Sequence, residues 1–163
     1  MSALPKEAPR LRPMDIDAIA AIVPIEKAAY EFPWSRGNFV DSLAAGYLMY
    51  SLLGNDGETL AYFVAMTGVD EMHLLNITVA PMHQRQGHAR RMLDALVALA
   101  RERFARQLWL EVRASNHRAT DIYLRYGFRH IGVRRGYYPA PHGQREDARV
   151  MSLDLAGAPR ALD

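Results

Sequence analysis

The chain has 163 residues, half of them hydrophobic, and a formal charge of +2, which suits one folded domain with one core. It contains no cysteine, which excludes disulfides, thiolate metal sites and a cysteine nucleophile. No apolar run approaches the roughly 18 residues that cross a bilayer, and the first residues lack the apolar segment of a signal peptide. Basic residues are spread along the chain rather than clustered. We therefore expect a cytoplasmic protein that contacts neither membrane nor nucleic acid directly.

Hydrophobic periodicity predicts three strands and two helices in the first half of the chain. They follow in this order: a strand at residues 11–13, a helix capped by Asp15 that Pro24 interrupts and that resumes to residue 30, a helix from Ser35 to about residue 46, and strands at 47–53 and 60–67. The next elements are a strand at 72–79, a helix at 87–103, a strand at 107–113, a helix at 116–126, and strands at 128–134 and 148–155 joined by a loop rich in Gly, Tyr and Pro.

This order predicts a mixed α/β (α+β) fold. Hairpins in the first half are antiparallel, whereas the strand–helix–strand unit at residues 74–112 requires a parallel pair with a crossover helix. A mixed, mostly antiparallel sheet with helices on both faces follows. We expect one domain at residues 10–155, and we expect flexible termini at 1–9 and 156–163, which are rich in Ala, Pro and Gly.

The turn between the strand at 72–79 and the next helix carries the strongest ligand signal. It reads Q-R-Q-G-H-A at residues 84–89. Gly87 has no side chain to cover the first N–H groups of the helix, where the helix dipole also attracts anions. Arg85, Arg90 and Arg91 add charge beside them. The turn is either an ordinary strand-to-helix connection or, as we expect, a phosphate-binding site.

Three polar residues near the next strand and helix could carry chemistry. Glu111 lies in the apolar segment LWLEVR, where it is either ion-paired with Arg113 on the same face or a general base. Asn116 is well placed as a helix N-cap and could also face a ligand. By periodicity Tyr123 is a core aromatic, yet a phenol could also protonate a departing thiolate.

The remaining candidates are histidines and aromatic residues. The six histidines have no metal-ligand spacing, so we expect surface or loop positions for them and no metal. Two aromatic segments are either core or rims of a peptide groove, and they contain Phe32, Trp34, Tyr137 and Tyr138.

The turn at residues 84–89 resembles the Q/R-x-x-G-x-G/A signature of the GCN5-related N-acetyltransferases (GNAT), with Ala89 where glycine is common. The resemblance implies a GNAT fold whose sheet splays at a central parallel strand pair, with acetyl-CoA as cosubstrate. It also implies that one strand and this turn bind acetyl-CoA. The implied cofactor-binding residues are Ile77, Thr78, Val79, Arg85, Gln86, Gly87, His88, Ala89, Arg90 and Asn116.

Within that superfamily the chain closely resembles the bacterial ribosomal-protein alanine N-acetyltransferases (RimI subfamily) over roughly residues 10–155. The similar segments are LLNITVAPMHQRQGHARRML, LWLEVRASNHRATDIYLRYGF and RRGYYPAPHGQREDARVMSL. This resemblance implies that Glu111 is the general base, that Tyr123 is the general acid and that Asn116 contacts CoA. Gly136 stands where the subfamily usually has asparagine.

The acceptor implied by the resemblance is the N-terminal alanine of a small-subunit ribosomal protein. The two aromatic segments would then border the acceptor. Two alternatives remain at this stage. The chain could acetylate a lysine side chain or a small-molecule amine with the same CoA site, or it could bind acyl-CoA without turnover.

Overall fold

The computed structural model describes residues 7–156. In this range seven strands and four α-helices follow in the predicted order. Their bounds are β1 Arg10–Pro13, α1 Ile16–Ala29, α2 Arg36–Ala44, β2 Leu48–Leu53, β3 Thr59–Thr67, β4 Glu71–Val79, α3 His88–Glu102, β5 Gln107–Arg113, α4 His117–Tyr126, β6 Arg129–Pro139 and β7 Arg145–Asp154. Most of the two predicted flexible termini, residues 1–6 and 157–163, lies outside the described residues.

The strands hydrogen-bond in the order β1-β2-β3-β4-β5-β7-β6. Pairing is parallel between β4 and β5 and antiparallel in the other pairs whose register is known, which confirms the predicted mixed sheet. By its contacts the chain divides into two compact units. The first holds the residues up to Ala65 together with Asn76–Ala95, and the second holds Met66–Leu75 together with the residues from Leu96 onward. The prediction of a single domain stays a prediction.

In the first unit, β2 pairs antiparallel with both β1 and β3. The β3 residues from Leu60 to Ala65 are all buried, as expected for a strand covered on both faces. The predicted break at Pro24 is wrong, because α1 runs unbroken through it. Proline removes one intrahelical donor, but Ile19, Ile22 and Glu26 on either side are buried and hold the helix in place.

In the second unit, β5 pairs parallel with β4 over residues 107–110 and antiparallel with β7 along its whole length. The predicted loop after residue 134 is wrong in its extent, because β6 continues to Pro139 and β7 begins at Arg145. Side chains hold this extension together. Arg145 donates to the carbonyls of Gly136 and Tyr137, at 2.9 Å each, and the Gly136 N–H donates to Asp147.

The helix α3 shows the apolar face that its sequence predicts. This face is buried and consists of Met92, Leu93, Leu96, Val97 and Ala100. Within residues 7–156, no helix combines the length and the apolar character that crossing a membrane requires.

Candidate active site

Glu111 is a buried carboxylate held by a histidine in the second unit. Its side chain is only 5% exposed, and its Oε2 lies 2.6 Å from Nε2 of His73. When Glu111 is ionised its oxygens can only accept, and Nε2 of His73 is then the donor of this hydrogen bond. The His73 ring stacks on the Trp109 ring, with centroids 3.5 Å apart and planes 10° apart. One carboxylate oxygen is therefore fixed by a histidine that is itself fixed by an indole.

The second oxygen of Glu111 has a different environment. Oε1 is buried and accepts no hydrogen bond from any residue that the structure describes. The Nε of Arg134 lies 3.4 Å away on a half-exposed side chain. The Arg134 guanidinium also lies 5.8 Å from the centroid of Trp109 and 5.4 Å from that of Tyr137. Among the described residues Oε1 is thus a buried acceptor without a hydrogen bond, beside a cation that the solvent can reach.

Tyr137 and Tyr138 form an edge-to-face pair with centroids 4.9 Å apart. Burial and the negative charge of Glu111 raise the pKa of both phenols above the ordinary value. Both phenols therefore stay protonated at neutral pH and can act there as hydrogen-bond donors. The guanidinium of Arg113 lies over the Tyr138 ring at 4.5 Å.

The charge of Arg113 is matched by Glu146 on β7. Nη1 of Arg113 donates to Oε1 of Glu146 at 3.1 Å and to the carbonyl of Pro139 at 2.8 Å. Hydrogen bonds from Ser115, together with Arg113, hold the pKa of Glu146 below its ordinary value despite some desolvation. The sequence left open an ion pair between Arg113 and Glu111. In the structure Arg113 forms an ion pair with Glu146, whereas Glu111 contacts His73 and Arg134.

Asn116 and Tyr123 occupy the positions that local patterning predicts. Oδ1 of Asn116 accepts from the N–H of Ala119 at 3.1 Å, which confirms the N-cap of α4. Tyr123 is 8% exposed and packs against Phe128 with centroids 5.5 Å apart, which confirms its apolar surroundings. Their predicted contacts with CoA and with the leaving thiolate stay predictions.

The predicted phosphate turn in the first unit precedes α3. Arg85 and Gly87 have positive φ of 63° and 81°, and nothing lies within 4 Å of a Cβ added at Gly87. Glycine is therefore favoured there by the backbone conformation rather than by space. The side chains of Arg85 and Arg90 are exposed beside the N-terminus of this 15-residue helix. This arrangement suits an anion, and acetyl-CoA binding there stays a prediction.

Two histidines contradict the expectation of surface positions. His73 is 8% and His88 is 5% exposed. His73 lies within a strand whose neighbouring residues are also buried, and its polar edge is matched by Glu111. At His88, burial and the charge of Arg91 lower the pKa below the ordinary value. Spacing along the chain does not predict the position of His73, because its carboxylate partner lies on another strand.

Sequence reasoning missed a buried network around Glu26 in the first unit. Glu26 is 1% exposed. Its Oε1 accepts from the Tyr62 hydroxyl at 2.7 Å and from Nδ2 of Asn76 at 2.9 Å, and its Oε2 accepts from the N–H of Trp34 at 2.8 Å. A signal was available, because Glu26 follows Ile19 and Ile22 at helical spacing on the buried face of α1.

This network continues to β4 and to the end of α1. The Asn76 side chain accepts from the Thr78 hydroxyl at 2.8 Å, and the Tyr30 hydroxyl lies 2.8 Å from that of Thr78 and donates to the carbonyl of Ile77. Burial is the main cause that raises the pKa of Tyr30 to about 12. The Tyr30 phenol is therefore a permanent donor at neutral pH.

The network also fixes the aromatic segment after α1. The Trp34 ring packs against Phe39 at 5.2 Å, and Phe39 packs edge-on against Tyr62 at 5.9 Å. Phe32 is 37% exposed. Trp34 is thus part of a packed cluster and Phe32 reaches the surface, while the acceptor-binding role of both stays a prediction.

The acetyltransferase (GNAT) family model matches residues 19–128. The chain therefore belongs to the GNAT family and is an N-acetyltransferase. This confirms the predicted family, fold class and type of enzyme.

Individual relatives match most of the chain. The ribosomal protein bS18-alanine N-acetyltransferase of Haemophilus ducreyi is 40% identical over 131 residues, which are 80% of this chain and 90% of the relative. The enzyme of the same name from Escherichia coli K12 is 41% identical over 132 residues, 81% of this chain and 88% of the relative. The crystal structure of the ribosomal-protein-S18-alanine N-acetyltransferase from Escherichia coli has a TM-score of 0.84 at 37% identity, covering 95% of this chain and 99% of that one. These matches confirm the resemblance to that subfamily.

Proposed function

We propose that this enzyme transfers the acetyl group of acetyl-CoA to the α-amino group of an N-terminal alanine, and that the acceptor is ribosomal protein bS18 in the cytoplasm. The similarity at about 40% identity to enzymes with this activity supports the acceptor. One observation of the site carries the chemistry: Glu111 is buried, its Oε2 is held by His73, and its Oε1 accepts no hydrogen bond from the described residues.

The proposed reaction is a direct transfer. An α-ammonium group has a pKa of about 8, so a modest base suffices to give the neutral amine. Oε1 of Glu111 takes this proton, directly or through a water molecule. The amine nitrogen then attacks the thioester carbonyl and the C–N bond forms. The C–S bond breaks, and the nitrogen releases its second proton to solvent as the amide forms. Tyr123 supplies a proton to the departing CoA thiolate.

Binding of acetyl-CoA is assigned to the predicted residues. Arg85, Arg90 and the backbone N–H groups of 86–89 would hold the phosphates at the helix N-terminus. The backbone of residues 77–79 would meet the pantetheine arm, and one N–H of this strand would stabilise the oxyanion. The exposed guanidinium groups and the positive φ of Gly87 support the phosphate assignment.

The acceptor is assigned to the two aromatic segments. In the second unit Tyr137 and Tyr138 stay protonated near the charge of Glu111, so they can donate to the carbonyls of an incoming peptide. In the first unit Phe32 and Trp34 would contact the acceptor side chains. Gly136, where the subfamily usually has asparagine, leaves this segment without one side-chain amide.

A thiol-release assay tests the function. The enzyme receives acetyl-CoA and one of several amines: peptides that begin with alanine, with serine or with a bulky residue, an N-terminally blocked peptide with lysine, and a polyamine. We expect CoA release mainly with the alanine peptide. A preference for the lysine peptide or the polyamine would favour the alternative acceptors, and no release with any amine would favour a binding module.

The variant Glu111→Gln tests the base. Because loss of a general base costs about 10²- to 10⁴-fold in rate, we expect kcat to fall by that factor while acetyl-CoA binding stays near that of the wild type. The exposed Glu102, at the end of α3, offers a matched control as Glu102→Gln. Unchanged turnover in Glu111→Gln would remove this residue from the mechanism.

The variant Tyr123→Phe tests the acid. It keeps the ring that packs on Phe128, so we expect normal folding and a large loss of kcat. If the variant is active at the wild-type rate, or if it fails to fold, Tyr123 has only a structural role.

A further inference from the structure

We propose that His73 is a positioning residue that keeps the base Glu111 in its reactive orientation; this inference rests on the proposed function. The resemblance of the chain to its family assigns no role to this histidine. Its contact with Glu111 is the shortest that the carboxylate makes among the described residues, at 2.6 Å.

The backbone places the three side chains in a row. His73 on β4 pairs directly with Trp109 on the parallel strand β5. Glu111 lies two residues after Trp109, so both side chains stand on the same face of β5. The His73 ring can therefore stack on Trp109 and donate to Glu111 at the same time.

The stack restricts the imidazole. With the two rings 3.5 Å apart and nearly parallel, rotation of the His73 ring about χ2 would drive it into the indole. The Nε2–H group is thus aimed at Oε2 of Glu111 before any ligand binds. The last torsion of a glutamate side chain has broad energy minima, and this bond selects one orientation of the carboxylate.

Arg134 shows why this restraint matters. Its Nε lies 3.4 Å from Oε1, and a guanidinium binds a carboxylate best by gripping both oxygens. To present both oxygens to Arg134 the carboxylate would have to turn, and turning it would bend or break the 2.6 Å bond from His73 to Oε2. Oε1, which accepts no hydrogen bond from the described residues, then keeps its lone pairs for the proton of an amine or a water molecule. Without His73, we expect the carboxylate to turn toward Arg134 and to be lost as a base.

Three variants test this reasoning by kinetics. His73→Leu removes the donor and keeps apolar bulk against Trp109. We expect kcat to fall about 10- to 100-fold, as for a misplaced catalytic group, with little change in KM for acetyl-CoA. His73→Gln, whose amide can donate to Oε2, should recover most of this loss. In His73→Leu/Arg134→Gln the competing cation is gone, so kcat should be higher than in His73→Leu alone.

Nitrogen NMR of the free enzyme gives a readout that does not depend on turnover. In the wild type we expect His73 to carry a proton on Nε2 with the shift of a hydrogen-bonded donor, and we expect this signal to move in Glu111→Gln. Thermal unfolding shows whether each variant folds. If His73→Leu fails to fold, the kcat of His73→Gln and the NMR comparison test the positioning role instead.

The outcomes separate the two claims. If the wild type releases no CoA with any amine, the proposed function fails and the positioning role fails with it. If the wild type is active but folded His73→Leu keeps kcat within twofold, only the positioning role is overturned. The same holds if the His73 signal is unchanged in Glu111→Gln.

Discussion

Replacement of Glu26 by glutamine should destabilise the protein although the two side chains have nearly the same shape. The carboxylate accepts three hydrogen bonds, from Tyr62, Asn76 and the N–H of Trp34. Each of these donors faces an oxygen. A glutamine replaces one of the oxygens with an NH2 group, so in either orientation at least one donor meets another donor.

The expected loss follows from the bonds involved. A hydrogen bond to a charged group contributes about 1.5–3 kcal/mol, and a buried donor left unpaired costs about 1–3 kcal/mol. With the amide turned toward Trp34, one such bond is lost and the other two become neutral. The lost bond alone is worth about 1.5–3 kcal/mol. Because the variant no longer buries a charge, it is spared that desolvation cost, which offsets the weakening of the other two bonds, and we expect a net loss of about 2–3 kcal/mol. In a domain of this size, that corresponds to a fall in Tm of roughly 4–12 °C.

Chemical denaturation of wild type and variant, with linear extrapolation to water, measures this loss. Glu31→Gln is the matched control, because Glu31 is exposed five residues further along, and we expect a change within about 0.5 kcal/mol. A double-mutant cycle with Tyr62→Phe should show that Glu26 and Tyr62 are coupled. A Glu26→Gln variant as stable as Glu31→Gln would refute the reasoning.

Three further predictions concern the helix ends and one ion pair. Ser35→Ala removes the capping box of α2 and should lower the free energy of unfolding by about 1 kcal/mol, whereas Ser35→Asp should keep most of it; equal losses in denaturation would contradict the capping role. Gly127→Ala places a Cβ at φ 124°, 3.3 Å from Leu153, and should cost more than about 1 kcal/mol; a Tm equal to that of the wild type would show that the backbone relaxes. Because the pKa of Glu146 is lowered in the folded state, its stabilisation is present above its ordinary pKa and disappears as the pH falls through the folded value. Urea denaturation from pH 7 to pH 3 should therefore show Glu146→Gln approaching the wild type as the pH falls, and a constant difference would exclude the linkage.

Local patterning was sufficient for most of the elements and for the residues that act locally. The caps at Asp15, Ser35 and Asn116 depend only on the next three residues of the chain, and the structure contains all three. The apolar face of α3 depends only on helical spacing. The wrong predictions arose where residues distant in the sequence determine the local backbone conformation. Pro24 is tolerated in a helix with a buried face. Gly136–Pro139 becomes strand because Arg145 donates to the carbonyls of Gly136 and Tyr137, and because Asp147 accepts from the Gly136 N–H.

The sequence by itself determined the order of the elements, the family and the turn at 84–89, because each of these depends on neighbouring residues or on a motif read along the chain. It also singled out Glu111 as a carboxylate that needed a reason to lie in an apolar strand. Only the tertiary structure decided its partner, since His73 lies 38 residues away and reaches it through the parallel register of two strands. Glu26 was likewise decided by the tertiary structure, because its donors come from β3, β4 and the segment after α1. Spacing along a chain predicts which face a side chain occupies, whereas contact across that face depends on strand register and packing.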